Sequence, residues 1–245
     1  MKKTLLELTQ DVLNDLDMDE VNSIDDTIHA AQVASIVRTT YFEMIGNRNW
    51  PHLRKLFQLE SVGDLTKPVY LKLPELTKEL ELIRYTIDNR SVEMKYKTPD
   101  EFLAYVSHRD LAADNVIEVS DFSGVKLLIV NDKQPAYWTS FDDRYIVFDS
   151  YDVATEDTVQ QSKTQCLGYI HPAWSHANDF VPDLPAEAFP ALFHEVKSTA
   201  SVNLKQMVDQ KAEQKASRQQ RWLSRKAFQA KGGVRYPNYG RRGKR

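Results

Sequence analysis

Leu5, Leu8, Val12 and Leu16 recur at helical spacing, with Leu6 and Leu13 widening the stripe, and predict a helix over residues 3–16. The acidic stretch from Asp15 to Glu20 closes it. Ser23-Ile24-Asp25-Asp26 then reads as a second helix start, a Ser cap with acids that suit the dipole of the first turn. Ile28, Ala31, Ala34, Val37, Tyr41, Met44 and Ile45 supply its stripe, and Gly46 stops it. After Asn49-Trp50-Pro51 the texture turns β-rich to about residue 170. The candidate strands are 53–60, 68–73, 80–88, 91–97, 115–120, 125–131 and 143–149, with Asp88-Asn89 as a hairpin turn. Thr98-Pro99-Asp100-Glu101 opens a short helix to about Ser107.

Pro172, Pro182, Pro185 and Pro190 mark a loop that leads back to helical texture. Phe189, Leu192, Phe193, Val196, Ala200, Leu204, Met207 and Val208 fit one apolar face, after which the stripe thins to Trp222, Leu223 and Phe228. A single helix over 190–230 would run ~60 Å and outreach its own core, so its far half needs a neighbour. The fold class expected is α+β. Residues 1–50 form N-terminal helices, 51–182 an inserted β-rich domain, 183–230 a long helix packing on 1–50, and 231–245 an extended basic arm.

Composition narrows the function. The 245 residues are 42% hydrophobic and 27% charged, ordinary for a folded globular chain. No apolar run approaches the ~20 residues of a spanning helix, and Glu7, Gln10 and Asp11 break any leader-like apolar segment, so neither a membrane span nor a signal peptide is expected. A lone Cys166 excludes an intrachain disulfide and a Cys-built zinc site, and suits a reducing cytoplasm. Gly46, Gly63, Gly124 and Gly168 stand isolated, with no phosphate-cradling motif among them. The net charge of −3 hides a split. Residues 211–245 hold twelve Lys/Arg against one acid, and the remainder twenty against thirty-four.

Pro182-Asp183 followed by Glu195-Val196-Lys197 imitates the carboxylate–lysine pattern of metal-dependent nucleases. Glu195 and Lys197 fall on a predicted helix, where residues two apart point ~200° away from each other, so they would not share one metal. Six histidines show no ligand spacing, and the acids between Asp11 and Asp26 lack a calcium-loop glycine. No metal, no cofactor and no enzymatic activity are expected. The basic arm interleaves Arg235, Tyr236, Tyr239, Arg241 and Arg242, a combination that stacks on bases, pairs with phosphates or threads into an acidic crevice.

Leu5–Leu13, Val21–Thr27, Val33-Ala34 with Ile36-Val37, and Asn49-Trp50-Pro51 resemble the head-to-tail adaptors of short-tailed bacteriophages, the tail tubular protein A group. Phe148–Asp152, Asp179–Pro185, Glu195–Ser198 and the Gln/Arg-rich helix with its basic tail are similar to the same group, in the same order. The resemblance implies a homo-oligomeric ring, usually dodecameric, under the phage portal. It implies a tail nozzle or tail tube on the other face, genomic DNA passing without sequence specificity, and a place in the virion after synthesis in the host cytoplasm. On it, Arg221, Trp222, Arg225, Phe228 and the five arm residues above are expected to bind portal. Tyr41, Trp50, Phe193 and Met207 are expected at the contacts between ring subunits. The alternative from the charge split is a nucleic-acid-binding protein acting through the arm, with the nuclease as a remote third reading.

Overall fold

A computed structural model describes residues 2–87, 90–161 and 163–229, and the fold is α+β. The chain forms two compact units. One takes the described residues up to Arg54 and from His171 onward; the other is Lys55–Ile170. The division falls at 54/55 and 170/171 rather than at 50/51 and 182/183. The short 3-10 turn Pro51–Leu53, with Leu53 buried, and the proline loop after His171 both pack with the helices.

In the helical unit, α1 (Leu5–Asp15) starts at Thr4, whose hydroxyl accepts the Glu7 amide while the Glu7 carboxylate accepts the Thr4 amide. Two further first-turn amides are taken by the proline loop: Leu5 N–H donates to the Phe180 carbonyl (2.7 Å) and Leu6 N–H to that of Asn178 (3.2 Å). Helix α2 (Ile28–Gly46) is capped by Thr27, not by Ser23. The Asp26 carboxylate turns back to accept the Asn22 and Ser23 amides, which closes a turn ahead of the helix. Ile28 therefore lies in the first turn and is exposed, while Val33 and Thr40 join the buried face.

The expected single helix over 190–230 is two. Helix α4 (Phe189–Lys205) ends at Gln206 in the left-handed conformation, φ +52°. Met207 N–H closes the end by donating to the Ser201 carbonyl (3.2 Å). Asp209 then accepts the Lys211 and Ala212 amides and opens α5 (Gln210–Gln229). Helix α5 packs back on α4, with Ala212, Ala216 and Leu223 buried, so over the described residues it finds a neighbour in its own chain. The small alanines let the two backbones approach. Helix α4 also packs against α1 and α2.

The β-rich unit holds an eight-stranded sheet and a two-stranded one. The strands are β1 (Arg54–Phe57), β2 (Glu60–Ser61), β3 (Tyr70–Lys72), β4 (Thr77–Ile87), β5 (Arg90–Tyr96), β6 (Val116–Ser120), β7 (Lys126–Val130), β8 (Tyr137–Thr139), β9 (Tyr145–Phe148) and β10 (Thr164–Ile170). The large sheet runs β1-β10-β4-β5-β8-β9-β3-β2, and β6 pairs with β7. Strands β8 and β10 are additions to the sequence expectation. The expected β4–β5 pair forms, antiparallel, with Ile83 opposite Met94 and Tyr85 opposite Val92; the Asp88-Asn89 turn lies outside the described residues. Helix α3 (Pro99–Ser107) carries the Thr98/Glu101 capping box and buries Phe102 and Val106.

One buried ion pair knits this unit. Arg109 donates to the carbonyls of Leu128 (2.9 Å) and Asp149 (2.6 Å) and to the Asp149 carboxylate (3.3 Å). The other Asp149 oxygen accepts the Ala136 and Tyr137 amides. Cys166 lies fully buried in β10, and burial pushes its thiol up to about 12, which makes it a core side chain and not a nucleophile.

Candidate partner-binding surface

The surface is built on the α4/α5 hairpin. Along α5, Lys211, Lys215, Arg218, Trp222 and Arg225 recur at four- and three-residue steps and form one exposed stripe, roughly a third of a turn from the buried Ala212–Ala216–Leu223 face. Trp222 keeps 49% of its surface exposed. The stripe overhangs a groove of about 570 Å³ lined by Glu187, His194, Lys215, Arg218, Gln219 and Trp222. His194 also lines a second, more apolar hollow of about 270 Å³ with Lys3, Leu8, Phe189, Pro190 and Phe193, so the two are continuous at that residue.

Charge in the groove is mainly positive. Burial first, then the Lys215 and Lys197 ammonium groups, hold His194 below the ordinary imidazole range against a smaller opposite pull from Asp15 and Asp209, so its ring is neutral near pH 7. Its buried Nδ1 has no hydrogen-bond partner among the described residues. Lys215 and Arg218 make no ion pair among the described residues. The groove thus combines an aromatic wall, two uncommitted cations and an adjoining apolar hollow. That chemistry suits a carboxylate- or phosphate-bearing partner with an apolar side chain beside the charge.

Next to the groove and onward to the end of α4, acids face the lysines. Lys197 donates to Asp15 (2.7 Å), lies 3.7 Å from Asp209, and is held above the usual lysine range chiefly by the Asp15 hydrogen bond. Lys205 lies 3.9 Å from Asp17. Asp19 and Glu20 are exposed beside them. Deeper in the hairpin, Gln220 donates to Glu195 (3.2 Å), whose carboxyl is held above the ordinary range by burial and then by Glu43 and Glu213.

The residues expected from the sequence divide as follows. Arg221, Trp222 and Arg225 are exposed on α5, and Trp222 and Arg225 share the stripe. Phe228 belongs to the last turn of α5, with its side chain outside the described residues; Arg235, Tyr236, Tyr239, Arg241 and Arg242 also lie outside them. Phe193 is half-buried in the apolar hollow, and Met207, 66% exposed, caps the α4/α5 corner beside exposed Val202 and Val208.

Tyr41 and Trp50 do not offer surface to a neighbouring subunit, a correction to the sequence expectation. They are 0% and 3% exposed inside the helical unit itself. Tyr41 packs on Phe42 and Trp174, and Trp174 on Phe180. Trp50 donates its indole N–H to the Met44 carbonyl and carries the Arg48 guanidinium on its face. Lys215, Arg218 and His194 in the groove, and Lys211 on the stripe, are the residues that sequence reasoning missed. The 4-3-4-3 spacing from Lys211 to Arg225 was the available signal.

Glu195 and Lys197 lie on α4 and point into different networks, and Asp183 offers its backbone carbonyl to His52. Among the described residues no group of three or more His, Cys, Asp or Glu is placed to hold a metal ion, and no helix is long and apolar enough to cross a membrane. Compared with known proteins, the chain matches no family model and no curated sequence.

Proposed function

We propose that this chain is a non-enzymatic structural protein of a virion: a head-to-tail adaptor that assembles as a dodecameric ring under the portal of a short-tailed phage. In that role its ring docks the tail nozzle or tail tube and passes the genome. One observation carries the reading. Helix α5 presents an exposed stripe of cations around Trp222 and leads in sequence directly into the basic arm, while the rest of the chain is strongly acidic. Such an arm suits an acidic crevice on the portal, with Trp222 and Phe228 as apolar anchors. A carboxylate-rich remainder suits a DNA conduit, because it repels the moving polyanion and does not trap it. Each arm contact is modest, but repetition around a ring multiplies it into stable attachment.

Negative-stain electron microscopy of portal rings mixed with the purified chain tests this. The expected image is portal with one added ring of density on its tail-facing side. Undecorated portal at micromolar chain would overturn the reading. The same stripe of cations and an exposed indole also fits single-stranded nucleic acid, a second reading that predicts binding steeply weakened by salt.

A further inference from the structure

We propose that the acidic turn over residues 15–20 of one copy of this chain docks in the basic groove of the α4/α5 hairpin of a second copy. The inference rests on the self-assembly part of the adaptor reading and supplies the contact that would build it. Lys215 and Arg218 in the groove, and Asp19 and Glu20 on the turn, make no ion pair among the described residues. The groove is lined by Glu187 and His194 on the α4 side and by Lys215, Arg218 and Trp222 of α5, whereas the turn is tied to α4 by Lys197 and Lys205. Asp15, at the start of the turn, reaches His194 electrostatically, but Asp19 and Glu20 make no ion pair with Lys215 or Arg218 among the described residues, so these charges stay unpaired within one chain. Complementary charges left unpaired within one copy suit a contact between copies.

The turn is also held in shape before it binds. Asp17 sits in the left-handed region at φ +50°, with its N–H donating to the Asn14 carbonyl, and Met18 N–H donates to that of Leu13. A preformed acidic knob loses little conformational entropy on docking. Half-buried Met18 within it gives the apolar hollow beside His194 a side chain to receive.

Two charge-reversed full-length variants test the contact, Lys215→Glu/Arg218→Glu and Asp19→Lys/Glu20→Lys. All four side chains are exposed, and circular dichroism checks that each variant folds. Sedimentation velocity at low salt, free and with portal rings present, reads self-association. Each variant alone is expected to lose at least tenfold in association. An equimolar mixture is expected to recover it, because every reversed groove then meets a reversed turn. Wild-type association in either variant alone, or no recovery in the mixture, overturns the docking while portal binding by the wild type leaves the adaptor reading standing. A wild-type chain that neither self-associates nor binds portal overturns both. If the groove reversal abolishes binding to a single-stranded oligonucleotide and leaves self-association intact, the groove is a nucleic-acid site and the proposal fails.

Discussion

Leu223 is the only large apolar side chain that α5 buries among its described residues; Ala212 and Ala216 add little area. Replacing it with Ala removes the main apolar link between α5 and α4. Truncating a buried leucine costs about 3–5 kcal/mol, the transfer of its methyls plus the cavity left behind. Ties that stay include the Gln220–Glu195 hydrogen bond and the Arg48 guanidinium on the Gln220 carbonyl (3.3 Å), each worth about 1 kcal/mol or a little more. The loss should therefore appear as local opening of the second half of α5. Taking about 3 kcal/mol, amide exchange there should accelerate on the order of a hundredfold. Hydrogen exchange read by mass spectrometry on peptides from 210–229 measures this directly. Amides of β4 and β10 should keep their wild-type protection. Unchanged exchange in α5 would refute the packing argument, and equal acceleration in β4 and β10 would refute the claim that the effect is local.

Other outcomes follow from particular contacts. Asp149→Ala strips the Arg109 guanidinium of its carboxylate partner, leaving it only the Leu128 and residue-149 carbonyls, and leaves the Ala136 and Tyr137 amides without their acceptor, so it should cost about 3–5 kcal/mol in urea unfolding. Arg109→Met should cost less, since those amides keep Asp149, and the double variant should lose less than the two singles together; full additivity would reject the pair as coupled. At Gly168→Ala the new Cβ meets the Glu79 carbonyl oxygen and the Leu80 Cα, both backbone, so a loss of about 3 kcal/mol is expected and a neutral effect would disprove that approach. Glu195 holds its proton more tightly folded than unfolded, so the stability it contributes is present at low pH and lost as pH rises through its raised value. Glu195→Gln should accordingly raise the melting temperature by about 1–2 °C at pH 7 and leave it unchanged at pH 4, whereas an equal gain at both would show that charge is not the cause.

Helix α1 was readable because its stripe and the Glu7 offset from Thr4 agree, and α3 because Thr98-Pro99-Asp100-Glu101 gives a cap, a first-turn proline and acids together. The corner after Lys205 was not. A left-handed helix end is usually written with Gly or Asn, and here it is written with Gln206, so Met207 and Val208 looked like the next turn of one helix. Asp209 was the legible cue, a good N-cap just before a helix-forming run. Strand β8, three residues long, is too short to show a period, and β10 carries Gly168 at its centre where the sheet backbones come close. Tyr41 and Trp50 illustrate the limit on site residues. An aromatic at a junction serves a core or an interface equally well by type, and only the packing of Trp174 and Met44 around them decides for the core. On α5, by contrast, the basic stripe was already written in the spacing of its lysines and arginines.

The account turns on whether the chain reaches its partner through the end of α5 and the arm beyond it. Mass photometry of portal rings with the full chain, and with a chain lacking residues 221–245, tests that most directly. The full chain should shift portal by about a dozen 28.3 kDa increments, and the shortened chain should leave portal at its own mass while remaining folded. An undiminished shift with the shortened chain, or no shift with the full one alongside salt-sensitive binding to DNA, would contradict it.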